Sequence, residues 1–492
     1  LDDVHMSGGN ITYTDMIKKS SWAIKNANLA LYLDNVDAPF EVKGDMEYNG
    51  NKIKLSGKLE TIKTLLATGR AKGTLDIDSG YLQGKLSGNI DKSNFAGRTE
   101  ITSKSLVKTM EWLTVKPMDA SFSSEFPLSI ASNTSCSPEE CAFTKASFKL
   151  DSIQANGDVR VKWSGAVPAV DLKLDTNEID FNLFKSTQKQ AQDSWIGSAY
   201  AADAPGWSDD PINFAALRSI QMLGNINAQG LRMDRLKIGK TTFRFKIQNG
   251  RLSADILDAD FYNGKANIFV NIDASSTTPA VEKRVTLSNV QMEPLLIDLE
   301  ASDRFSGKAN LQMNVVTAGK TQQQMVSNLN GSGTLRCEDG TIKGINIAEM
   351  VRNVQSAFKP VDKTSQKTDF TEMGGTFTIT KGVVANSDMM MKAPLFRVTG
   401  AGTADLPSRT INYRLMPQLV ETIQGQGGKE KQGIGVPVII EGSFDNPRYR
   451  PDLEATVREA IKNPEKVKET IGTIKEQLKE NKQGLKDLLK KF

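Results

Sequence analysis

Residues 375–415 read GTFTITKGVVANSDMMMKAPLFRVTGAGTADLPSRTINYRL. Phe377 and Ile379, Met389 and Met391, Phe396 and Val398, and then Ile411, Tyr413 and Leu415 stand two residues apart. A period of two is that of a β-strand, whose successive side chains point to opposite faces, so the stretch predicts strand after strand with one apolar face each. It carries no His, no Cys and no convergent carboxylates. The most regular part of the chain therefore offers surface and little chemistry.

The same rhythm runs outward from this stretch. Phe243, Phe245 and Ile247 share one face of TFRFKIQ, with Arg244, Lys246 and Gln248 on the other. It recurs at Ala266/Ile268/Val270/Ile272 and Leu311/Met313/Val315, and earlier at Leu29/Leu31/Leu33, Leu75/Ile77 and Val159/Val161/Trp163. Asn-Gly or Asp-Gly pairs at 49–50, 156–157, 249–250, 263–264, 330–331 and 339–340 supply residues that accept positive φ in tight hairpins. The expected architecture is mostly β, an antiparallel meander of roughly twenty strands with few helices. Helical spacing is confined to 103–113, 214–223 and 345–358, and to a Lys-rich amphipathic tail in which Val467, Ile471, Ile474, Leu478, Leu485, Leu488 and Phe492 form one stripe. That tail either packs on its own protein or lies on a membrane surface. Residues 186–211 show no periodicity and read as a loop or linker, and 424–435 as a second loop. The expected organisation is thus a β region over 1–185, the linker 186–211, a second β domain over 212–461 and the helical tail 462–492.

Composition narrows the function. The 492 residues carry 62 basic and 58 acidic side chains, a net charge of +4 that gives no support for a nucleic-acid partner. A single histidine, His5, makes triads and most metal hydrolases improbable. The glycines of GAGTAD (400–405) lack the third glycine and the following helix of a dinucleotide fingerprint, and Gly428-Lys429 runs into Glu430 rather than Ser or Thr. Cys136 and Cys141 bracket a short turn and either close a small disulfide loop in an oxidising compartment or remain two free thiols. With only Cys337 and His5 besides them, zinc is not expected. No cofactor, no metal and no enzyme activity is expected. No apolar run reaches the roughly 18 residues needed to cross a bilayer. The chain opens at Leu1 inside apparent structure, so a fragment or processed product is expected, and an anchor upstream stays open.

One-sided strands need a cover for their apolar face: a second sheet, closure into a barrel, or a ligand. A long sheet curled into a trough holds acyl chains without any catalytic residue. Exposing a diacyl lipid of about 30 methylenes to water costs on the order of 20–25 kcal/mol, a barrier that an apolar trough largely removes. An ordinary β-sandwich core uses the same alternation, so both readings stay open on periodicity alone.

Four blocks carry a family likeness: 211–274, with NGRL (249–252) and FYNGKA (261–266); 331–352, with DGTIKGINI (339–347); 368–415; and 436–457, with its closing EGSFDNPRYRPD (441–452). In order and spacing they resemble the C-terminal part of AsmA family proteins of Gram-negative bacteria, while 1–185 is similar only in style to the family's middle region. The resemblance implies a strongly curved, taco-like β groove and a periplasmic protein anchored in the inner membrane. It further implies that the groove carries phospholipid toward the outer membrane, with other envelope proteins as possible partners. A periplasmic address fits a Cys136–Cys141 disulfide and leaves Cys337 free. The groove candidates are Phe243, Phe245, Ile247, Ile268, Val270, Leu311, Met313, Phe377, Ile379, Met389, Met391, Phe396, Val398, Ile411, Tyr413 and Leu415. The alternative is a non-enzymatic envelope scaffold that assists outer-membrane protein assembly through exposed strand edges.

Overall fold

A computed structural model describes residues 3–15, 20–114, 125–165, 167–184, 206–299, 303–344, 367–394, 396–419 and 437–452. The helix expected at 345–358, the loop at 424–435, the tail at 462–492 and most of the linker at 186–211 lie outside them. The described chain is mostly β, with 25 strands and five short helices. By contact density it falls into two compact units, the first built of 1–198, 213–259 and 273–275, the second of 199–212, 260–272 and 276–492.

The first unit contains β1 (Val4–Asp15), β2 (Ser20–Tyr32), β3 (Phe40–Tyr48), β4 (Asn51–Leu59), β5 (Arg70–Asp78), β6 (Leu82–Asp91), β7 (Asn94–Ser103) and β8 (Leu128–Cys136). It continues through β9 (Glu140–Leu150), β10 (Ile153–Lys162), β11 (Ala169–Asp180), β12 (Gln221–Met233), β13 (Leu236–Ile238), β14 (Thr241–Gln248) and most of β15 (Arg251–Phe261). From β1 to β11 each strand pairs antiparallel with the next. The expected meander breaks at β12, which pairs antiparallel with both β13 and β14. β11 and β12 pair in parallel, from Ala169↔Gln221 to Asp180↔Arg232, so the chain between them must return to the end from which β11 started.

Short helices sit between strands: α1 (Ile62–Thr68), α2 (Leu106–Thr114) and α3 (Ala216–Ser219). Thr61 caps α1 by accepting from Thr64 N, and Gly69 closes it in the left-handed conformation. The helical spacing at 214–223 proves misleading, since only Ala216–Ser219 is helical and Gln221 already belongs to β12. Pairing with Ala169 and Val170 of β11 draws Gln221 and Met222 into the ladder and overrides local spacing.

The second unit holds β16 (Gly264–Asp273), β17 (Ala280–Gln291), α4 (Met292–Asp298), β18 (Phe305–Ala318), α5 (Gln322–Ser327), β19 (Asn330–Lys343) and β20 (Lys367–Thr380). It ends with β21 (Val383–Lys392), β22 (Phe396–Asp405), β23 (Thr410–Leu419), β24 (Val438–Ser443) and β25 (Pro447–Pro451). From β17 onward every successive pair is antiparallel.

The turn signals divide. Asn49-Gly50 and Asn249-Gly250 take positive φ at both residues and close the hairpins β3–β4 and β14–β15, and Tyr262-Asn263 turns β15 into β16. The pairs at 156–157, 330–331 and 339–340 instead lie inside strands, a correction to the expected hairpins. Gly157 and Asp339 have positive φ beside register shifts, so there the permissive residue builds a β-bulge.

Candidate functional site

Register places the apolar residues of each unit in rows across one face. In the first unit a row runs Leu59, Gly73, Gly88, Gly97, Thr134, Phe143, Val159, Leu172, Gly224, Phe245 and Ala254. Its three adjacent glycines mark a close approach of backbones. A Cβ on Gly97 would lie 2.2 Å from Ser87 O and 2.5 Å from Gly88 Cα, and one on Gly73 2.4 Å from Lys58 O. The strands crowd together on the apolar side here, which only glycine permits.

The second unit has matching rows. One runs Lys283, Val315, Gly331, Ile379, Val384, Ala404, Ile411 and Gly442. Another joins Leu287, Leu311, Leu335 and Gly375, and a third joins Val285, Met313, Gly333 and Phe377. All sixteen candidates fall on described strands, but they differ in exposure. Ile379, Met391, Phe396 and Val398 are buried, and the last three join Ala309, Cys337, Phe370 and Ala393 in a dry cluster. Phe243, Phe245, Ile247, Ile268, Val270, Leu311, Met313, Phe377, Met389, Ile411, Tyr413 and Leu415 remain partly exposed. Phe243 and Phe245 pack against a smaller cluster of Ile179, Ile226, Ala228 and Leu231.

Two polar features of this face escaped the sequence reading. Around the β20–β21 bulge, Asp388 accepts from Thr376 N and Thr376 Oγ1, both at 2.8 Å, and Asn386 Nδ2 donates to Thr376 O. Tyr413 donates its hydroxyl to Asn386 Oδ1, so its tip is spent on protein while its ring stays on the apolar side. The hydrogen bonds from Thr376 hold the Asp388 carboxyl below its ordinary range; burial, with help from Asp388, pushes the Tyr413 phenol up. The second feature is Lys283, at the apolar parity of VEKRVTL between Val281 and Val285. Following the alternation through residues 281–287 would have found it. Burial holds its ammonium below the usual lysine range.

The opposite face is charged and solvated. Cross-strand partners there carry opposite signs, as in Asp158↔Lys173, Arg160↔Asp171 and Arg244↔Asp255. These side chains, with the exposed Leu223, line an open depression of about 540 Å³. Cys136 and Cys141 are register partners at the β8–β9 turn and are joined by a disulfide. Cys337 is buried and free, its thiol pushed up to about 11 by burial and by Glu338. Among the described residues no three His, Cys, Asp or Glu side chains converge as a metal site, and no helix is long and apolar enough to cross a membrane.

Protein AsmA of Escherichia coli (strain K12) is 20% identical over 278 residues, which cover 54% of this chain and 44% of that protein. The chain thus aligns with less than half the length of that curated relative. The model of the AsmA family matches residues 83–389, more than half of the chain and spanning strands of both units, and the chain belongs to the AsmA family.

Proposed function

We propose that this protein binds the acyl chains of phospholipid along the apolar faces of its strands and supports lipid transfer toward the outer membrane. It does so from the periplasm, attached to the inner membrane, and performs no covalent chemistry. One observation supports the reading most: apolar side chains stand in cross-strand rows yet stay partly exposed, as Phe245, Leu311, Met313 and Phe377 do. A dry sandwich core would bury them. The described helices, four to nine residues long, are too short to form a covering layer. Acyl chains are the ligand that matches a long, one-sided apolar surface without specific donors.

The test is native mass spectrometry with lipid extraction on the purified 492-residue chain. Stoichiometric phospholipid is expected in the unaltered protein. It should be lost in Phe245→Asp and Met313→Asp, and kept in Thr286→Asp, which is exposed on the charged face. Folding of each variant is checked by circular dichroism. A folded, lipid-free unaltered protein refutes the reading and directs attention to strand-edge binding of envelope proteins.

A further inference from the structure

Lys283 is out of place. It is the one polar member of an eight-strand row whose other positions are Val315, Gly331, Ile379, Val384, Ala404, Ile411 and Gly442. Its neighbours on the same face of β17 are Val281, Val285 and Leu287, the last two 8% exposed. No carboxylate among the described residues pairs with it, and desolvation is the sole influence on its titration. The next basic residue, Arg284, has the opposite parity and lies 4.5 Å over the Phe269 ring. Lys283 is three residues from the start of β17, about 10 Å along the strand, so a long flexible stem can carry its ammonium toward the strand end.

An unpaired cation on an apolar surface lowers stability unless an anion joins it. The ligand that answers both halves of this arrangement is amphiphilic, with an anionic oxygen for the ammonium and hydrocarbon for the row beside it. We propose that Lys283 is a headgroup site, where its ammonium pairs with the phosphate of a net-anionic phospholipid whose acyl chains lie along the apolar row of the second unit. The inference rests on the acyl-binding reading and adds a preference among lipids. A zwitterionic headgroup already carries its own ammonium, so it gains less from the lysine. Free phosphate could supply the same anion. However, a lone lysine without neighbouring donors binds free phosphate weakly, whereas burial of the acyl chains raises the effective concentration of an attached phosphate.

The full chain is incubated with vesicles of equimolar dioleoyl phosphatidylglycerol and dioleoyl phosphatidylcholine and re-isolated, and its bound lipid is quantified by mass spectrometry. The unaltered protein should favour phosphatidylglycerol by on the order of tenfold, the scale of one charge-assisted hydrogen bond. Lys283→Met should bind as much total lipid with the preference gone, and Lys283→Arg should keep it. Lys283→Gln serves as a second neutral variant if the methionine does not fold. Lipid bound without a preference, or a preference unchanged in the neutral variants, overturns the site and leaves the acyl-binding reading standing. A preference abolished by excess inorganic phosphate at constant ionic strength identifies a free-anion site and overturns the headgroup assignment. No lipid bound to any form refutes the acyl-binding reading, and this inference falls with it.

Discussion

The glycine row of the first unit makes a sharp quantitative prediction. Gly97 and Gly88 face each other across β6 and β7, and a Cβ added to Gly97 would meet Ser87 O at 2.2 Å and Gly88 Cα at 2.5 Å. Both are backbone atoms, so no rotamer change relieves the clash and the strands must part. Forcing such a contact costs about 1–3 kcal/mol. Gly84, on the same face of β6, would meet only Leu86 Cδ1 at 3.9 Å. Neither glycine has positive φ, so Gly84→Ala should gain about 0.5–1 kcal/mol from reduced freedom of the unfolded chain. The two alanine variants should therefore differ by about 1.5–4 kcal/mol in opposite directions from the parent. Urea unfolding followed by circular dichroism measures this, with unchanged slopes confirming that stability alone has moved. Equal midpoints for the two variants would show that β6 and β7 do not crowd on the apolar side.

Four further outcomes are expected. Lys283→Met should stabilise the protein by about 1–2 kcal/mol near neutral pH, because it removes an unpaired ammonium from an apolar surface. Since burial lowers the folded-state pKa of Lys283, that gap should close as pH rises through the lowered pKa toward the ordinary lysine value, and a gap constant with pH would contradict the assignment. Asp388, held below its ordinary range by Thr376, contributes stability that is complete above the ordinary carboxylate pKa and lost as pH falls through its lowered one. The melting deficit of Asp388→Asn at neutral pH should thus shrink toward about pH 3, and an equal deficit at both would exclude the Thr376 bonds as its source. Cys337, with a thiol pushed up to about 11, should resist Ellman's reagent near neutral pH, one thiol appearing in denaturant and three after reduction; rapid native labelling would mean that β19 and β20 open readily. Val398→Asp should cost about 3–5 kcal/mol, because it places a carboxylate at a 1% exposed position, while Met313→Asp should melt near the parent and lose lipid. A folded Val398→Asp that alone loses lipid would move the ligand onto the dry cluster.

Legibility followed the range of the interactions involved. Alternation at Phe243–Ile247 and Leu311–Val315 gave correct faces, because a strand's face depends only on parity. Asn49-Gly50 and Asn249-Gly250 announced their hairpins, yet Lys381-Gly382, with φ of 50° and 78°, turns β20 into β21 without an Asn or Asp to signal it. The same dipeptide misled at 156–157, which partner strands place in mid-ladder, and at 330–331, which opens β19. The parallel β11–β12 pair could not be read at all, since it joins residues some fifty positions apart with nothing local to mark it. Within the candidate site, parity identified the apolar face. Whether a member was dry, like Met391, or partly exposed, like Met389, depended on neighbours from three or more strands.

That division bears on what the face can do. In the second unit, Phe370, Met391, Phe396 and Val398 close on one another around Ala309 and Cys337, so this part of the face is satisfied without a ligand. Met313 and Val315 are flanked in β19 by Gly333 and Gly331, and the Phe377 ring and Val315 Cγ1 lie over these two glycines, within 3 Å of where a Cβ would stand. The first unit repeats the device where Gly73, Gly88 and Gly97 stand beside Leu59. A side chain at these glycine positions would meet neighbouring backbone or side-chain atoms within 3 Å. Glycine instead draws the backbones together on the apolar side, with no Cβ to hold them apart. Half-exposed hydrocarbon over close-packed backbone suits the proposed acyl ligand better than a dry core, which would bury it. In that proposal the ammonium of Lys283 supplies the polar end.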